Sequence, residues 1–379
     1  MRDAPDRITR LPQQYFTALL ARVAASAAEA GPPLVDLGRG NPDIGPPPHV
    51  AEALARTAAL PDARVHGYAP FAGLAALKEA IAARYRDVYG VVVDPAREVA
   101  VLPGSKTGLM EFAAVTTERG GTIVLPDPGY PDYFSAVALA SAQLGTLPLL
   151  DDGSPDWDAA PRAARALYLN YPSNPAAVAA PAGVFAEAIA YAQRSGAWVL
   201  HDFAYGDLVF DGRRPASFLA EDGAREVGLE LFSMSKSYGM AGWRLGFAVG
   251  NAELVARIED LQNHVLAGVF VATQDAGIAA LTGPQESVEA RRALYEARRD
   301  RAVAALVGHA ARGEGTFFVW FRLPDGVTCE RLLEEHRVAL APGEGFGARG
   351  TGWARLSLAV ADETLDLGLE RLGGALSNP

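Results

Sequence analysis

Residues 233–246 read Ser-Met-Ser-Lys-Ser-Tyr-Gly-Met-Ala-Gly-Trp-Arg-Leu-Gly. This stretch holds a single lysine, Lys236, among small hydroxyl residues and glycines, and Arg244 follows eight positions later. A lysine amine acts as a covalent catalyst only in its neutral form, which neighbouring cationic groups favour. Hydroxyls and an arginine are the groups that a phosphate needs. Imine chemistry beside a phosphate site predicts pyridoxal 5'-phosphate (PLP) as the cofactor, with Ser233 and Ser235 close to it.

The same stretch resembles, residue for residue, the lysine motif of the class I/II aminotransferases of PLP fold type I. The resemblance implies that Lys236 holds PLP as a Schiff base and that Arg244 contacts its phosphate. The alternative is a Ser/Gly-rich surface loop with a solvated lysine. The flanking segments favour the cofactor, because they continue the family's motifs in order over about residues 30–360.

A second phosphate-binding segment is predicted at residues 99–109, Val-Ala-Val-Leu-Pro-Gly-Ser-Lys-Thr-Gly-Leu. A strand there turns into a helix, whose free N–H groups and dipole attract a phosphate. The spacing excludes a P-loop, because no glycine directly precedes Lys106. The segment resembles the Gly-Ser-Lys-x-Gly of the branch that contains LL-diaminopimelate aminotransferase, which implies that Ser105 and Lys106 approach the phosphate. A solvated lysine at the helix start is the alternative for Lys106.

Four residues that follow predicted strands are expected around the PLP ring. The strand 197–202 ends in Asp202, and a carboxylate against the ring nitrogen would keep that nitrogen protonated. In the resemblance, Tyr205 and Asn174 donate to the O3' oxygen of the ring. Tyr133, the second tyrosine of an Asp-Pro-Gly-Tyr-Pro-Asp-Tyr segment, stacks on the ring face. Stacking costs an aromatic side chain little because it has few rotamers to lose.

The segment around Asn174 departs from the family pattern Asn-Pro-x-Asn-Pro-Thr-Gly. Both asparagines are retained, but Ala176 and Ala177 replace the Thr-Gly pair. The shape of this loop is therefore open, whereas the asparagine is in place. Strand alternation turns His201 to the face opposite Asp202, where we expect a hydrogen-bonded core histidine.

Substrate contacts are expected from two further segments. Arg355, in Ala-Arg-Leu-Ser-Leu-Ala, matches the family's arginine for the substrate α-carboxylate, which a guanidinium fork suits. The glycine-rich turn that holds Arg39 and Gly40 lies beside the substrate in the family, as does Asn174. Arg39 stands where a small or aliphatic residue is usual. Either its head lies in water, or a carboxylate pairs it: Asp43, one from a partner subunit, or one on the substrate.

The loop at residues 66–73, His-Gly-Tyr-Ala-Pro-Phe-Ala-Gly, resembles the family loop that carries a tyrosine to the PLP phosphate of the partner subunit. Tyr68 is the matching residue. The resemblance therefore implies a homodimer with composite active sites. His264 and Leu266 stand where polar substrate-contacting residues are common, which is a further departure from the family.

The composition limits the class of protein. The chain has 379 residues, half of them hydrophobic, and a net charge of -11, so we expect no nucleic-acid surface. A single cysteine, Cys329, excludes an internal disulfide and fits a reducing compartment. The N-terminus has no apolar signal-peptide core, and no apolar run approaches a membrane span. We expect a cytoplasmic protein without membrane contacts, and no metal, because the histidines show no ligand spacing.

Strands alternate with helices up to about residue 250, which predicts an α/β fold with a mostly parallel central sheet flanked by helices. We expect an N-terminal segment, 1–45, that packs on a small domain. A large PLP-binding domain would cover 46–265 and the smaller α/β domain 266–379. The Arg- and Glu-rich stretch 286–307 predicts a helix with a solvated face.

The leading hypothesis is an aminotransferase, which moves an amino group between an amino acid and a 2-oxo acid through a Lys236 Schiff base. In the resemblance Lys236 transfers the Cα proton as general base and acid, and Asp202 and Tyr205 complete the catalytic set. The same residues would serve elimination, replacement or cyclisation in specialised metabolism, so the motifs alone do not separate these reactions. A PLP-fold regulator is a third hypothesis, but residues 1–30 are too short and not basic enough for its DNA-binding segment.

Overall fold

The computed structural model describes residues 4–377 and has, within them, a central seven-stranded sheet, a three-stranded sheet and a two-stranded pair. The strands are β1 Val35–Asp36, β2 Val99–Leu102, β3 Thr122–Asp127, β4 Gln143–Pro148, β5 Ala166–Asn170, β6 Trp198–Asp202, β7 Gly228–Ser233, β8 Gly246–Gly250, β9 Phe318–Arg322, β10 Val338–Ala339, β11 Ala341–Pro342 and β12 Trp353–Ser357. Strands β2 to β8 all belong to the central sheet, and the remaining strands form the two smaller ones.

Helices connect most of these strands. They are α1 Asp6–Thr9, α2 Tyr15–Ala27, α3 Pro48–Ala58, α4 Ala63–His66, α5 Ala75–Tyr89, α6 Ser105–Thr116, α7 Asp132–Leu139, α8 Val184–Ser195, α9 Ala224–Val227, α10 Met234–Ser237, α11 Ala252–Val265, α12 Val271–Thr282, α13 Glu286–Ala305, α14 Cys329–His336 and α15 Asp362–Ser377. Side-chain capping and backbone conformation explain where two of these helices begin or end. The Asn251 side chain caps α11, and Gly90, in a left-handed conformation, ends α5.

The central sheet has the strand order β2-β8-β7-β6-β5-β3-β4. Strand β8 runs antiparallel to both its neighbours, and the other pairs are parallel. Every residue of β2, β5, β7 and β8 is buried. Their nearly continuous apolar sequences are typical of a sheet that is covered on both faces. The carboxyl ends of β2, β3, β5, β6 and β7 meet at one edge, where open α/β sheets bind ligands.

Helices cover the central sheet on both faces. On one face Ile81 of α5 packs into the same core as Phe247 of β8. On the other, Phe112 of α6 and Ile258 of α11 pack with Leu229 of β7. Burying one such side chain stabilises the fold by about 1.5–3 kcal/mol. The predicted α/β fold with a mostly parallel sheet between helices is confirmed.

The smaller sheets combine segments from distant parts of the chain. Strands β11, β12 and β9 form an antiparallel sheet, and β1 pairs in parallel with β10, Val35 opposite Val338. The apolar run at residues 338–342 is divided, because Leu340 separates two short strands, β10 and β11, that join different sheets.

The predicted domain ranges 1–45, 46–265 and 266–379 stay a prediction. Residues 1–3 and 378–379 of those ranges lie outside the described part of the chain. Over residues 4–377, no helix is long and apolar enough to cross a membrane.

Helix α13 has the predicted solvated face, on which Glu289 and Asp300 are exposed, but its opposite face is buried and also carries charges. Its Arg291, Arg298 and Arg299 are buried on one face, spaced as helical geometry requires. Arg291 donates to the carbonyls of residues 44 and 45, each over 2.9 Å. Arg298 pairs with Asp43 at 2.7 Å, and Arg299 pairs with Asp211 at 2.6 Å. These partners are distant in sequence, so the composition of the helix could not reveal them.

Candidate active site

A cavity of about 450 Å³ opens at the sheet edge where the parallel strands end. Most of the predicted site residues line it, although they come from six separate stretches of sequence. They are Arg39, Gly40, Ser105, Lys106, Asn174, Asp202, Tyr205, Ser233, Ser235, Lys236, Arg244 and Arg355. Tyr133 and Tyr68 are the predicted residues that do not line it.

Lys236 enters this cavity from α10, the short helix that follows β7. Ser233 caps that helix, because its hydroxyl oxygen accepts from the Ser235 N–H over 3.2 Å. The Lys236 Nζ lies 5.7 Å from the Tyr205 ring centroid and 5.1 Å from that of Phe317. Burial, and then the Arg355 guanidinium, lower the pKa of Lys236 to about 8. A neutral amine is therefore accessible near physiological pH.

Asp202 is the last residue of β6, and its carboxylate faces the cavity. It accepts from the Tyr133 hydroxyl over 2.8 Å and from the Ala204 N–H over 3.2 Å. Burial raises the pKa of Asp202, and the hydrogen bond from Tyr133 opposes that rise. The backbone is also held, because Asn170 donates from its side chain to the Asp202 carbonyl over 2.8 Å.

Tyr133 is fully buried behind Asp202 and does not reach the cavity. It lies in the first turn of α7, packed against the ring of Tyr168 at 5.4 Å. Tyr130, in the turn before that helix, lines the cavity instead. The predicted stacking role of Tyr133 is therefore corrected in favour of Tyr130. Tyr130 and Tyr133 belong to one short motif. They differ in that Tyr130 precedes the start of α7, whereas Tyr133 lies in its first turn.

One end of the cavity suits a phosphate. Helix α6 begins at Ser105 without a capping side chain, so N–H groups of its first turn are free to bind an anion. Gly104, with φ of 89°, has the Arg244 guanidinium where a Cβ would stand. Among the described residues, neither the Ser105 nor the Ser235 hydroxyl has a hydrogen-bond partner. A Cβ on Gly246 would lie 2.9 Å from the Ser105 nitrogen, so glycine keeps this approach open.

Lys106 lies beside this end but is already paired. Its side chain is 50% exposed, and its Nζ lies 2.9 Å from the Asp132 Oδ2. Gln14 donates to the other oxygen of Asp132 over 2.9 Å. The helix-start lysine is thus held by a carboxylate of α7, a partner that its own motif does not contain.

The opposite end of the cavity is built around Arg355, which is only 1% exposed. Its Nη1 donates to the Asn174 Oδ1 over 2.7 Å, and its Nη2 donates to the Gly38 carbonyl over 3.2 Å. Its guanidinium carbon lies 3.9 Å from the Phe318 ring centroid. Burial lowers the pKa of Arg355 to about 10. Within residues 4–377 its Nε has no partner, which suits an incoming anion.

Arg39 is exposed and lines the cavity from the turn between Gly38 and Gly40. No hydrogen bond or ion pair joins its side chain to any residue that the structure describes. Asp43, one of its predicted partners, accepts from Tyr295 and Arg298, each over 2.7 Å. The prediction that Asp43 could pair Arg39 is therefore wrong.

Two predicted residues lie away from the cavity of their own chain. Tyr68 is 86% exposed in the loop after α4, and His264 is exposed in the last turn of α11. His201, in contrast, is a satisfied core histidine, as predicted. Its ring nitrogens lie 2.8 Å from the Glu230 Oε1 and 3.0 Å from the Tyr171 carbonyl oxygen.

The sequence did not assign Phe16, Leu19 and Leu20 to the site, yet all three line the cavity from α2. Their apolar periodicity indicated a helix, and nothing local indicated what that helix would cover. In the part of the chain that the structure describes, no group of three or more His, Cys, Asp or Glu residues is placed to hold a metal.

The central sheet and the lysine that follows β7 have the architecture of the α/β transferases of fold type I. The chain belongs to the aminotransferases of class I and II: that family matches residues 32–372.

Named relatives agree over almost the whole chain. The L-glutamine–4-(methylsulfanyl)-2-oxobutanoate aminotransferase of Bacillus subtilis is 41% identical over 97% of this chain and 94% of its own. The LL-diaminopimelate aminotransferase of Moorella thermoacetica is 38% identical over 97% and 96%. The substrate-bound structure of BacF from Bacillus subtilis has a TM-score of 0.91 and 37% identity, with coverage of 99% and 98%. The chain is therefore an aminotransferase, and these relatives favour transamination over elimination, replacement or cyclisation.

Proposed function

We propose that this aminotransferase uses PLP, bound through Lys236, to move an amino group between an amino acid and a 2-oxo acid. The observation that carries the proposal is that one cavity contains both Lys236, with its lowered pKa, and a buried arginine with an unpaired Nε, Arg355. Chemistry at the Cα of an amino acid requires two groups: an amine that can be neutral and a site that binds the carboxylate.

The residues of the cavity fit PLP. The uncapped start of α6 and Arg244 would hold the phosphate, with Ser105 and Ser235 as hydroxyl donors. Asp202 would face the ring nitrogen, and Tyr130 would cover the ring face. Tyr205 and Asn174 would donate to the ring oxygen. When bound, PLP supplies an aldehyde that condenses with amines and a ring that accepts the electron pair released at the substrate Cα.

The chain's own residues then bind the substrate and move its proton. The Arg355 guanidinium would bind the α-carboxylate, which would satisfy its unpaired Nε. The neutral Lys236 amine would take the proton from the substrate Cα as general base. It would then return that proton, as general acid, to the C4' carbon of the cofactor. The Asp202 carboxylate would keep a proton on the ring nitrogen, and the positive charge of that nitrogen would in turn oppose the rise in the pKa of Asp202 that burial causes.

We also propose a homodimer with composite sites in a reducing compartment such as the cytoplasm. Tyr68 is accompanied by other exposed apolar side chains: Phe71, Val265 and Phe270. These come from the loop after α4 and the junction of α11 and α12, where a second copy would cover them and receive Tyr68 in its cavity. Cys329 is a buried free thiol, in keeping with reducing conditions.

The test uses purified enzyme loaded with PLP and a panel of amino acids: glutamate, glutamine, methionine, phenylalanine and LL-diaminopimelate. Transamination yields a 2-oxo acid and pyridoxamine 5'-phosphate in the first half-reaction. Borohydride reduction followed by peptide mass mapping should place PLP on Lys236, and Lys236→Ala should abolish both results. Release of ammonia or a cyclic product without pyridoxamine 5'-phosphate would contradict the proposal.

A further inference from the structure

We propose that Arg39 binds a side-chain carboxylate on one of the two substrates, so that the enzyme uses a dicarboxylic amino acid or 2-oxo acid in one half-reaction. This inference rests on the proposed function. It deepens it, because it names the chemical class of one substrate and the residue that selects it.

The argument begins with the charge of the cavity, which is opposite to that of the whole chain. The net charge of the protein is -11, yet among the described residues that line the cavity the cationic side chains outnumber the carboxylates five to one. These cations are Arg39, Lys106, Lys236, Arg244 and Arg355, and the carboxylate is Asp202. Cations concentrated in a cleft attract anionic ligands and lose free energy if they stay unpaired when water is displaced.

Four of the five cations have an evident partner or task. Lys106 is paired with Asp132, and Arg244 lies at the phosphate end beside Gly104. Lys236 is shifted toward its neutral form. Arg355 retains one free nitrogen, enough for the α-carboxylate that every amino acid carries. Among the five cations of the cavity, Arg39 alone has neither a partner within residues 4–377 nor a proposed function.

Arg39 also lies at the right end of the cavity. The residue before it, Gly38, accepts a hydrogen bond from the Arg355 Nη2. A Cβ on the residue after it, Gly40, would stand 3.4 Å from the same nitrogen. The turn that carries Arg39 therefore contacts Arg355, the arginine proposed for the α-carboxylate, through both of its glycines. The structure excludes Asp43 as the partner of Arg39, because Asp43 is bound by Tyr295 and Arg298.

The apolar wall of the cavity beside Arg39 suits the methylene groups of a dicarboxylic substrate. Phe16, Leu19 and Leu20 line the cavity from α2 and offer no polar side-chain group. They would pack against the methylene groups that separate two carboxylates. They would also displace water from Arg39, which strengthens a charged hydrogen bond.

The experiment compares ligands that have the same shape but differ by one charge. Values of kcat/KM for glutamate and glutamine are measured in the wild type, Arg39→Gln and Arg39→Lys. Arg39→Gln should lower kcat/KM for glutamate by about ten- to a hundred-fold, the range for a charged hydrogen bond, and that for glutamine by less than about threefold. Arg39→Lys should retain part of the glutamate rate. Arg194→Ala, an exposed arginine of α8 outside the cavity, is the control and should change neither value.

Binding provides a readout that does not depend on turnover. Calorimetry of the PLP-loaded enzyme with glutarate and with its monoamide should show tighter binding of glutarate in the wild type and no such difference in Arg39→Gln. Equal losses for glutamate and glutamine, or equal binding of the two inhibitors by the wild type, would overturn the inference. If the wild type forms no 2-oxo acid from any amino acid, the proposed function fails, and the inhibitor pair still decides the role of Arg39.

Discussion

The Tyr133 hydroxyl donates to the Asp202 carboxylate over 2.8 Å, from a position with no access to the cavity. Asp202 is thus held on the side away from the ligand by a neutral donor, whereas its cavity side is free to meet a cationic ring nitrogen. The tyrosine partly offsets the burial that raises the pKa of Asp202. Under the proposed function, Tyr133 would therefore act on the cofactor through Asp202.

Tyr133→Phe should raise the pKa of Asp202 further, because the hydrogen bond that lowers it is removed. Activity requires the carboxylate, so the acid limb of the kcat/KM profile should move to higher pH. On that limb, loss of about 1 kcal/mol of interaction predicts a roughly fivefold lower rate, whereas the rate on the plateau should be unchanged. Tyr168→Phe is the matched control: its buried hydroxyl donates to the Leu109 carbonyl over 2.7 Å, so it should cost stability without moving the profile. Identical profiles for the two variants would contradict this role.

The lysine should make the PLP-free protein less stable near neutral pH. Its folded pKa, about 8, lies below its ordinary value of 10.5. Below pH 8 the amine is charged in both states, and its burial destabilises the fold in full. Between pH 8 and 10.5 the unfolded state binds the extra proton, so this cost is relieved as pH rises.

Lys236→Met should therefore raise the Tm of the PLP-free protein at pH 7 by a few degrees. The difference from the wild type should shrink between pH 8 and 10. Scanning calorimetry over this range measures it. A difference that stays constant with pH would show that the lysine is not desolvated.

Gly104→Ala should weaken PLP binding more than it weakens the fold. The new Cβ would overlap the Arg244 guanidinium and push it away from the phosphate end. Gly90→Ala is the control, since Gly90 also has a positive φ, 72°, but open space around an added Cβ. Gly90→Ala should cost about 1–2 kcal/mol of stability through its left-handed backbone, and Gly104→Ala at least as much, since φ 89° with ψ 150° is a conformation that few residues other than glycine adopt. Fluorescence titration with PLP should show a tenfold or greater loss for Gly104→Ala only, and equal affinities would argue against the cradle.

Subunit mixing should reveal a composite site. Lys236→Ala and Tyr68→Phe, each poorly active alone, should regain activity after subunit exchange, because a mixed dimer contains one site with both wild-type residues. Random mixing predicts on the order of a quarter of wild-type activity. Lys236→Ala mixed with Arg355→Ala should regain none, since both residues line the cavity of a single chain. Recovery in the second mixture, or none in the first despite proven exchange, would sink the prediction.

The sequence predicted the fold and most cavity residues because the relevant signals are local. Lys236 and Asp202 each follow a buried strand, and strand ends of a parallel sheet converge whatever lies between them. What it could not predict were pairings across the chain. Lys106 meets Asp132 and Arg298 meets Asp43, and each pairing depends on how distant segments pack. Such pairings determine which charged side chains remain available to a substrate, and so they determine substrate specificity.

The solvated face of α13 was predicted from its charged composition, whereas its buried arginines were not. Arg291 and Arg299 bond to carbonyls or carboxylates that lie tens to hundreds of positions away. Composition counts charges, whereas burial depends on whether each charge finds a partner. A helix rich in Arg can therefore bury one charged face when other segments supply the acceptors, while its other face stays in water.

The hydrogen bond from Arg355 to the Gly38 carbonyl joins residues 317 positions apart. All strands of the central sheet, in contrast, lie within residues 99–250. During synthesis on the ribosome, the sheet and the phosphate cradle can assemble while the later residues are still being added. The carboxylate site must wait for β12, because its arginine is made last and its glycine turn first. Under the proposed function, the enzyme would thus acquire a place for its cofactor before it acquires a place for its substrate.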